Sequence, residues 1–194
     1  MPSMPSLRII VADDEAVIRL GLKTMLRSLG HTVVGAARDG QEAIERVKQL
    51  KPDLLLLDVK MPGLDGLAAA QILAEEAPLP IVMLTAYSDK SLVEKAVNAL
   101  VMGYLVKPVD EKKLGPTLDL AAARYQELQA TRSEVDQLKK RLAGRSLVDR
   151  AKQRLMQQGL SEDEAYHYLQ AAARKRQISL AELAERMLNK RREI

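Results

Sequence analysis

The chain has 194 residues, 47% of them hydrophobic, and a formal net charge of +4. With no Cys it excludes a disulfide framework, a zinc–cysteine site and a thiol nucleophile, its two His argue against a multi-histidine metal centre, and with no Phe or Trp its core must be aliphatic. Residues 1–117 carry 14 Lys and Arg against 15 Asp and Glu, whereas residues 118–194 carry 16 against 11, so the basic surplus sits in the C-terminal part. That asymmetry suggests an anionic partner there, with solvated helix faces as the plainer alternative.

Residues 7–12, LRIIVA, read as a short buried strand that runs into Asp13, Asp14 and Glu15. Apolar residues from Val17 to Leu29 follow at helical spacing, and Gly30 ends that helix. Residues 33–37 form a second strand, and Asp39 starts a helix with Glu42 as its capping-box partner. Next comes the stretch around which the chain is organised, LLLLDVKMPGLDG at 54–66. Four leucines in a row fit a strand buried on both faces of a parallel sheet. Asp58 then stands at the carboxyl end of that strand, where open α/β sheets place their chemistry. The alternative is a strand-end aspartate that only caps a turn. Pro62, Gly63 and Gly66 force a loop before a helix over 67–76. Residues 81–85 are a fourth strand, 90–100 a helix, and 104–106 a fifth strand that ends in Lys107 and Pro108.

Strand and helix alternating five times imply an α/β fold with a five-stranded, doubly wound parallel sheet. Right-handed crossovers bring the strand ends to one edge, where Asp13, Asp14 and Asp58 meet Thr85 and Lys107. Three carboxylates so close repel one another, so either a proton stays on or a divalent cation sits among the oxygens. Mg²⁺ suits such a site, being bound by a few carboxylates together with waters and a phosphoryl group. Asp58 could then act as a nucleophile toward a phosphoryl donor, with Thr85 and Lys107 touching the transferred group.

ADDE at 12–15, LLDVKMPGLDG at 56–66, LTA at 84–86 and YLVKP at 104–108 together resemble a two-component receiver domain over about residues 5–122. The resemblance implies the flavodoxin-like strand order 2-1-3-4-5 and phosphorylation of Asp58 by a sensor histidine kinase. It also implies Mg²⁺ held by Asp13, Asp14, Asp58 and the backbone carbonyl of Lys60. Thr85 and Tyr104 would be a switch pair, and Lys107 the phosphoryl-binding lysine, before a cis Pro108 bond. Receivers often carry a glycine near residues 100–101, where this chain has Leu100 and Val101.

After Pro116 the pattern stays helical to about residue 143. Leu118, Ala121, Tyr125, Leu128, Thr131, Val135, Leu138 and Leu142 form a coiled-coil seam with one short step near 128–131. A long helix with one narrow stripe either docks on its own receiver or pairs with a second chain. Pairing is the expectation, as a homodimer through residues 118–142 when phosphorylated. Gly144 is expected to break the helix, which divides the chain into domains at 1–117, 118–143 and 144–194. The last is a small three-helix bundle, with one helix over 145–158 and capping boxes at Ser161–Glu164 and Ser179–Glu182 opening the other two. Arg145, Arg150, Lys152 and Arg154 lie on the first helix, Arg174, Lys175 and Arg176 close the second, and Lys190, Arg191 and Arg192 end the third. The last two clusters also suit the helix macrodipole, whereas Lys152 is mid-helix and has no such role. Tyr166 and Tyr168 offer rings on which an unstacked base could rest, although Tyr168 is expected in the core and His167 in solvent.

The stretch AKQRLMQQGLSEDEAYHYLQAAARKR at 151–176 resembles the ANTAR domain, a three-helix RNA-binding module of transcription antiterminators, over about residues 140–192. The whole chain resembles an ANTAR response regulator. That resemblance implies binding to paired stem-loops in nascent transcripts, which prevents termination. It places RNA contacts at Lys152, Tyr166, Arg174 and Arg176, with Arg150 and Lys175 beside them. The alternatives are a DNA-binding regulator that reads with its last helix, which exposes Glu182 and Glu185, and a protein-interaction output. No output enzyme is expected, only self-catalysed phosphotransfer and dephosphorylation. The start, MPSMPSLR, lacks the apolar region of a signal peptide, and no apolar run approaches the ~20 residues that span a bilayer. A cytoplasmic protein without a membrane segment is therefore expected.

Overall fold

The computed structural model describes residues 6–86 and 100–189, in two compact units, Met1–Gln129 and Ala130–Ile194. The helix expected over 90–100, apart from Leu100, and the Lys190–Arg192 cluster lie outside the described residues. The first unit holds β1 (Arg8–Ala12), β2 (Thr32–Ala37), β3 (Leu54–Asp58), β4 (Ile81–Thr85) and β5 (Val101–Val106) in one parallel sheet of order β2-β1-β3-β4-β5. The sheet carries α1 (Ala16–Ser28), α2 (Gly40–Leu50) and α3 (Gly66–Glu76).

The run of leucines in β3 makes physical sense once both faces are covered. Leu55 and Leu57 pack with Ala43, Ile44 and Val47 of α2 and with Ala69, Ala70 and Leu73 of α3. Leu54 and Leu56 face the other way, onto Leu22 and Leu26 of α1 and onto Leu114 and Leu118 further along the chain. A strand buried on both sides has no polar alternation to display. β5 starts at Val101, earlier than the expected 104, and its pairing with β4 slips by one residue between Ile81 and Val82.

The loop after β3 is tightly fixed. Gly63 has a φ of 71°, a left-handed conformation that favours glycine. Asp65 caps α3 by accepting from the Ala68 amide at 2.7 Å, and the Gly66 amide donates to the Val59 carbonyl at 3.0 Å. A Cβ on Gly66 would lie 1.9 Å from the Asp58 carbonyl oxygen, so only glycine lets α3 begin so close to the strand end. Gly66→Ala is therefore expected to lower stability by about 1–3 kcal/mol or more, the range for overpacking. A thermal melt checks it, and an unchanged melting temperature would show that the loop gives way freely.

The long helix α4 runs from Glu111 to Met156 without interruption, over 46 residues. It begins before Pro116, whose missing amide forgoes one hydrogen bond within the helix. It also passes through Gly144, where a break was expected, and through both domain boundaries placed at 117/118 and 143/144. An interior glycine costs only about 1 kcal/mol relative to alanine, too little to end a helix rich in Leu, Ala, Lys and Arg. The expected seam is also divided. Leu118 and Ala121 are fully buried in the core of the first unit, and the Tyr125 hydroxyl donates to the Pro78 carbonyl at 2.7 Å. These positions are occupied within their own chain and are not free to pair. Val135, Leu138 and Leu142 are 42%, 50% and 68% exposed.

In the second unit, α5 (Glu162–Arg176) and α6 (Leu180–Asn189) pack with the end of α4 around Ala151, Leu155, Ala165, Leu169, Ala173, Leu183 and Ala184. Gly159, at a φ of 98°, turns the chain out of α4. The capping box at Ser161 and Glu164 is complete. At Ser179 the hydroxyl accepts from the Glu182 amide at 3.1 Å, while the Glu182 carboxylate pairs with Arg186 one turn further on. Among the described residues no helix is long and apolar enough to cross a membrane.

Candidate functional site

The carboxyl ends of β1, β3, β4 and β5 bring Asp13, Asp14, Asp58, Thr85 and Lys107 to one edge. Asp13 is 0% exposed and Asp58 and Thr85 are each 5% exposed, while Asp14 faces solvent. One oxygen from each of the three carboxylates lies within 4.8 Å of the others. Lys107 Nζ stands 2.7 Å from Asp13 Oδ2 and 3.0 Å from Asp58 Oδ2.

One ammonium does not balance three acids. Burial pushes the Asp58 carboxyl above the ordinary aspartate range; Lys107 opposes that shift, and the charges of Asp13 and Asp14 add to it. For Lys107 burial works against the charge, but its contacts with Asp13 and Asp58 outweigh it, and the pKa is raised. Asp13 Oδ1 accepts from the Glu15 amide at 2.9 Å. The close approach of Lys107 to Asp13 Oδ2 is a charge contact without the alignment of a hydrogen bond, so among the described residues this buried oxygen has no directional donor. A buried acceptor oxygen beside two more carboxylates fits a hard divalent cation with oxygen ligands, and Mg²⁺ is compatible with the donor set.

The surrounding residues fix this edge. The Thr85 hydroxyl donates to the Ala86 carbonyl at 3.0 Å, and the Thr85 carbonyl accepts from the Lys107 amide at 2.9 Å. Tyr104 is half-buried on β5, opposite Met83, and burial raises its phenol pKa. Lys60 lies exposed in the loop after β3, two residues past Asp58, and the Lys107–Pro108 bond is cis. One contributor belongs to no motif in the sequence. Arg19, on the first turn of α1, donates from Nη1 to the Asp13 carbonyl and, at 3.0 Å, to the Asp14 carbonyl. It holds the acidic loop through its backbone, and its only trace in the sequence is one arginine just past the acidic run.

Residues 9–119 match the response regulator receiver domain and residues 136–188 match the ANTAR domain. The chain belongs to the ANTAR response regulators. It is 45% identical over 182 residues to the transcriptional regulatory protein PdtaR of Mycobacterium tuberculosis, covering 93% of this chain and 89% of that protein. Its receiver is similar to the signal receiver domain of a modulated diguanylate cyclase from Desulfovibrio desulfuricans G20, at a TM-score of 0.59 and 30% identity, covering 62% of this chain and 97% of that one. It is also similar to the receiver domain of the response regulator NarL from Mycobacterium tuberculosis, at a TM-score of 0.55 and 33% identity, covering 60% of this chain and 96% of that one.

In the ANTAR unit of this response regulator the residues expected to touch RNA are divided: Lys152 and Tyr166 line one cleft, and Arg150, Arg174, Lys175 and Arg176 lie outside it. Lys152 is 19% exposed and is bound by Glu162 at 2.8 Å and Asp149 at 3.5 Å, so it ties the end of α4 to the start of α5. Its pKa is raised by the Glu162 hydrogen bond first. The mid-helix lysine thus has a structural partner that the sequence pattern did not show. Arg154 also has one, donating to the Met187 carbonyl at 3.0 Å. Arg150, Arg174, Lys175 and Arg176 are exposed. The last three lie on the final turn of α5, about 12–15 Å along the helix from Tyr166 at 1.5 Å per residue. Tyr166 is 41% exposed, and Tyr168, expected in the core, is 53% exposed. Its position flanks the buried stripe of Ala165, Leu169 and Ala173, and a residue next to Leu169 is turned by about 100° away from it.

Proposed function

We propose that this response regulator receives a phosphoryl group on Asp58 from a sensor histidine kinase and then binds stem-loop RNA in nascent transcripts, preventing termination. The observation that carries the first half is Lys107 Nζ placed between Asp58 and the undirected oxygen of Asp13. Asp13, Asp14, Asp58 and the Lys60 carbonyl would hold Mg²⁺, which when bound neutralises charge on the phosphoryl oxygens. An Asp58 oxygen forms the new bond to phosphorus as the bond to the histidine nitrogen of the donor breaks. Lys107 then offers its ammonium to the phosphoryl group. The Thr85 hydroxyl, whose bond among the described residues is to the carbonyl of the next residue, is expected to turn toward the new oxygens, and Tyr104 to move with it. The chain itself supplies phosphotransfer and dephosphorylation, with no further enzymatic output. Pairing of two copies through the exposed half of the seam completes this reading.

The output reading rests on the ANTAR match and the likeness to PdtaR. It is tested by titrating protein treated with a small acyl phosphate against a pool of RNA hairpins with randomised loops and against duplex DNA. Retention of hairpins over duplex DNA is expected. Binding to DNA alone would favour a DNA-reading α6, and binding to neither would leave a protein-interaction output.

A further inference from the structure

The end of α4, Tyr166 of α5 and the first turn of α6 border an open surface cleft of about 740 Å³ whose lining includes Lys140, Arg141, Gly144, Arg145, Lys152 and Tyr166. All of it lies within the second unit. Arg141, Arg145 and Lys152 follow one another on α4 at steps of four and seven, so they share a face of the helix. Lys152 is committed to Glu162 and Asp149. Among the described residues no carboxylate lies within ion-pair distance of Lys140, Arg141 or Arg145, and all three are exposed. The charge here is therefore unspent, and a single acid, Asp149, stands in the lining with it. Tyr166, 41% exposed, lines the same cleft.

Gly144 brings two of the lining elements together. A Cβ there would lie 3.1 Å from Ala181 Cβ, so the bare backbone at 144 lets α6 come in close beneath the cations. Among the described residues no carboxylate pairs with the two arginines of this lining. By contrast Arg174, Lys175 and Arg176 sit on the last turn of α5, where the macrodipole already favours them and the cleft lining does not reach.

We infer that this cleft is the RNA-loop subsite of the ANTAR unit: Lys140, Arg141 and Arg145 hold backbone phosphates, and an unpaired loop base stacks on Tyr166. The chemistry matches an unpaired segment, because a base splayed out of a loop offers a free face to an aromatic ring while those within an A-form stem are stacked. Four cations and one ring in one concavity suit a short stretch of single strand. This inference rests on the RNA-binding reading above.

The test uses the full chain, treated with acyl phosphate, and the randomised-loop hairpin pool, with fully paired duplex RNA as a second probe. Three variants are compared: Arg141→Ala with Arg145→Ala, Tyr166→Ala, and Arg174→Ala with Arg176→Ala, each checked for an unchanged thermal melt. The first is expected to lose hairpin affinity and to flatten the log–log salt dependence by roughly 1.4, about 0.7 for each single-strand phosphate contact. Tyr166→Ala is expected to lose roughly tenfold or more on hairpins and little on duplex RNA, the range for one stacked base. Tyr166→Phe is expected to restore it, which separates stacking from a folding defect. The Arg174 and Arg176 variant is expected to keep most of its affinity. Loss confined to that last variant, with the cleft variants unaffected, would overturn the cleft and leave RNA binding standing. A wild-type protein that retains no hairpin would overturn both.

Discussion

With Mg²⁺ and a small acyl phosphate, the protein is expected to take up one phosphoryl group, and Asp58→Asn none. Intact mass spectrometry reads the result, and undiminished labelling of Asp58→Asn at the same site count would sink the assignment. The case is geometric. Asp58 Oδ2 has the Lys107 ammonium at 3.0 Å, and Asp13 presents a buried oxygen with no aligned donor. The expected effect is complete loss, because Asp58 combines some exposure with the Lys107 contact, whereas Asp13 is 0% exposed and the exposed Asp14 is not within ion-pair distance of Lys107. A second readout separates lost chemistry from lost folding. The Asp58 pKa is raised by burial above its unfolded value, so its stability contribution is fully present below the unfolded pKa and is lost as pH rises through the folded one. At neutral pH the ionised side chain therefore costs stability, even with Lys107 beside it. Metal-free Asp58→Asn is expected to melt a few degrees above the wild type, and Mg²⁺ to narrow that gap by stabilising the wild type. A lower melting temperature for the metal-free variant would mean that the Lys107 contact outweighs burial.

The receiver half of this picture was legible because its signals are local. Four leucines without alternation identify β3 as a strand covered on both faces, and each acid of the site immediately follows such a run. Parallel topology then brings strand ends together whatever the intervening loops do, so Asp13, Asp58 and Lys107 could be placed at one edge before any contact was known. The second half was less legible because its decisive contacts join distant segments. The seam from Leu118 to Leu142 reads as one stripe, yet its first part is taken by the receiver core and by the Tyr125 bond to Pro78, 47 residues away. Gly144 reads as a helix breaker until Ala181 is found against it. Lys152 looks free until Glu162 arrives from the next helix. In each case the decisive contact lay in another element, and at Gly144 the expected break does not occur because the helix runs through it.

The remaining prediction follows from that divided seam: phosphorylation at Asp58 is expected to promote pairing through Leu128–Leu142, and pairing to tighten RNA binding. Every residue from 131 to 143 is exposed, and Val135, Leu138 and Leu142 fall on one stripe of that bare helix. A second copy of the same stripe would cover it by coiled-coil packing. With Leu118, Ala121 and Tyr125 already occupied, only about two heptads remain, so the unphosphorylated pair should be weak. A weak equilibrium is one that a small bias can move. Coupling of about 1–3 kcal/mol between sites changes an equilibrium ~5–150-fold. Two linked ANTAR units that engage two stem-loops at once would gain ~10²–10⁴ in avidity over one. Sedimentation velocity with and without the acyl phosphate, alongside titrations with single and tandem hairpins, measures both steps. Leu138→Lys is expected to abolish pairing and to reduce tandem-hairpin affinity to that of one hairpin, while Asp58 labelling is unchanged. A protein fully dimeric at nanomolar concentration without phosphate would refute the pairing switch, and phosphate would then act by unmasking the RNA-binding unit. A phosphorylated protein that stays monomeric yet binds tandem hairpins tightly would also refute it, because avidity would then need no seam.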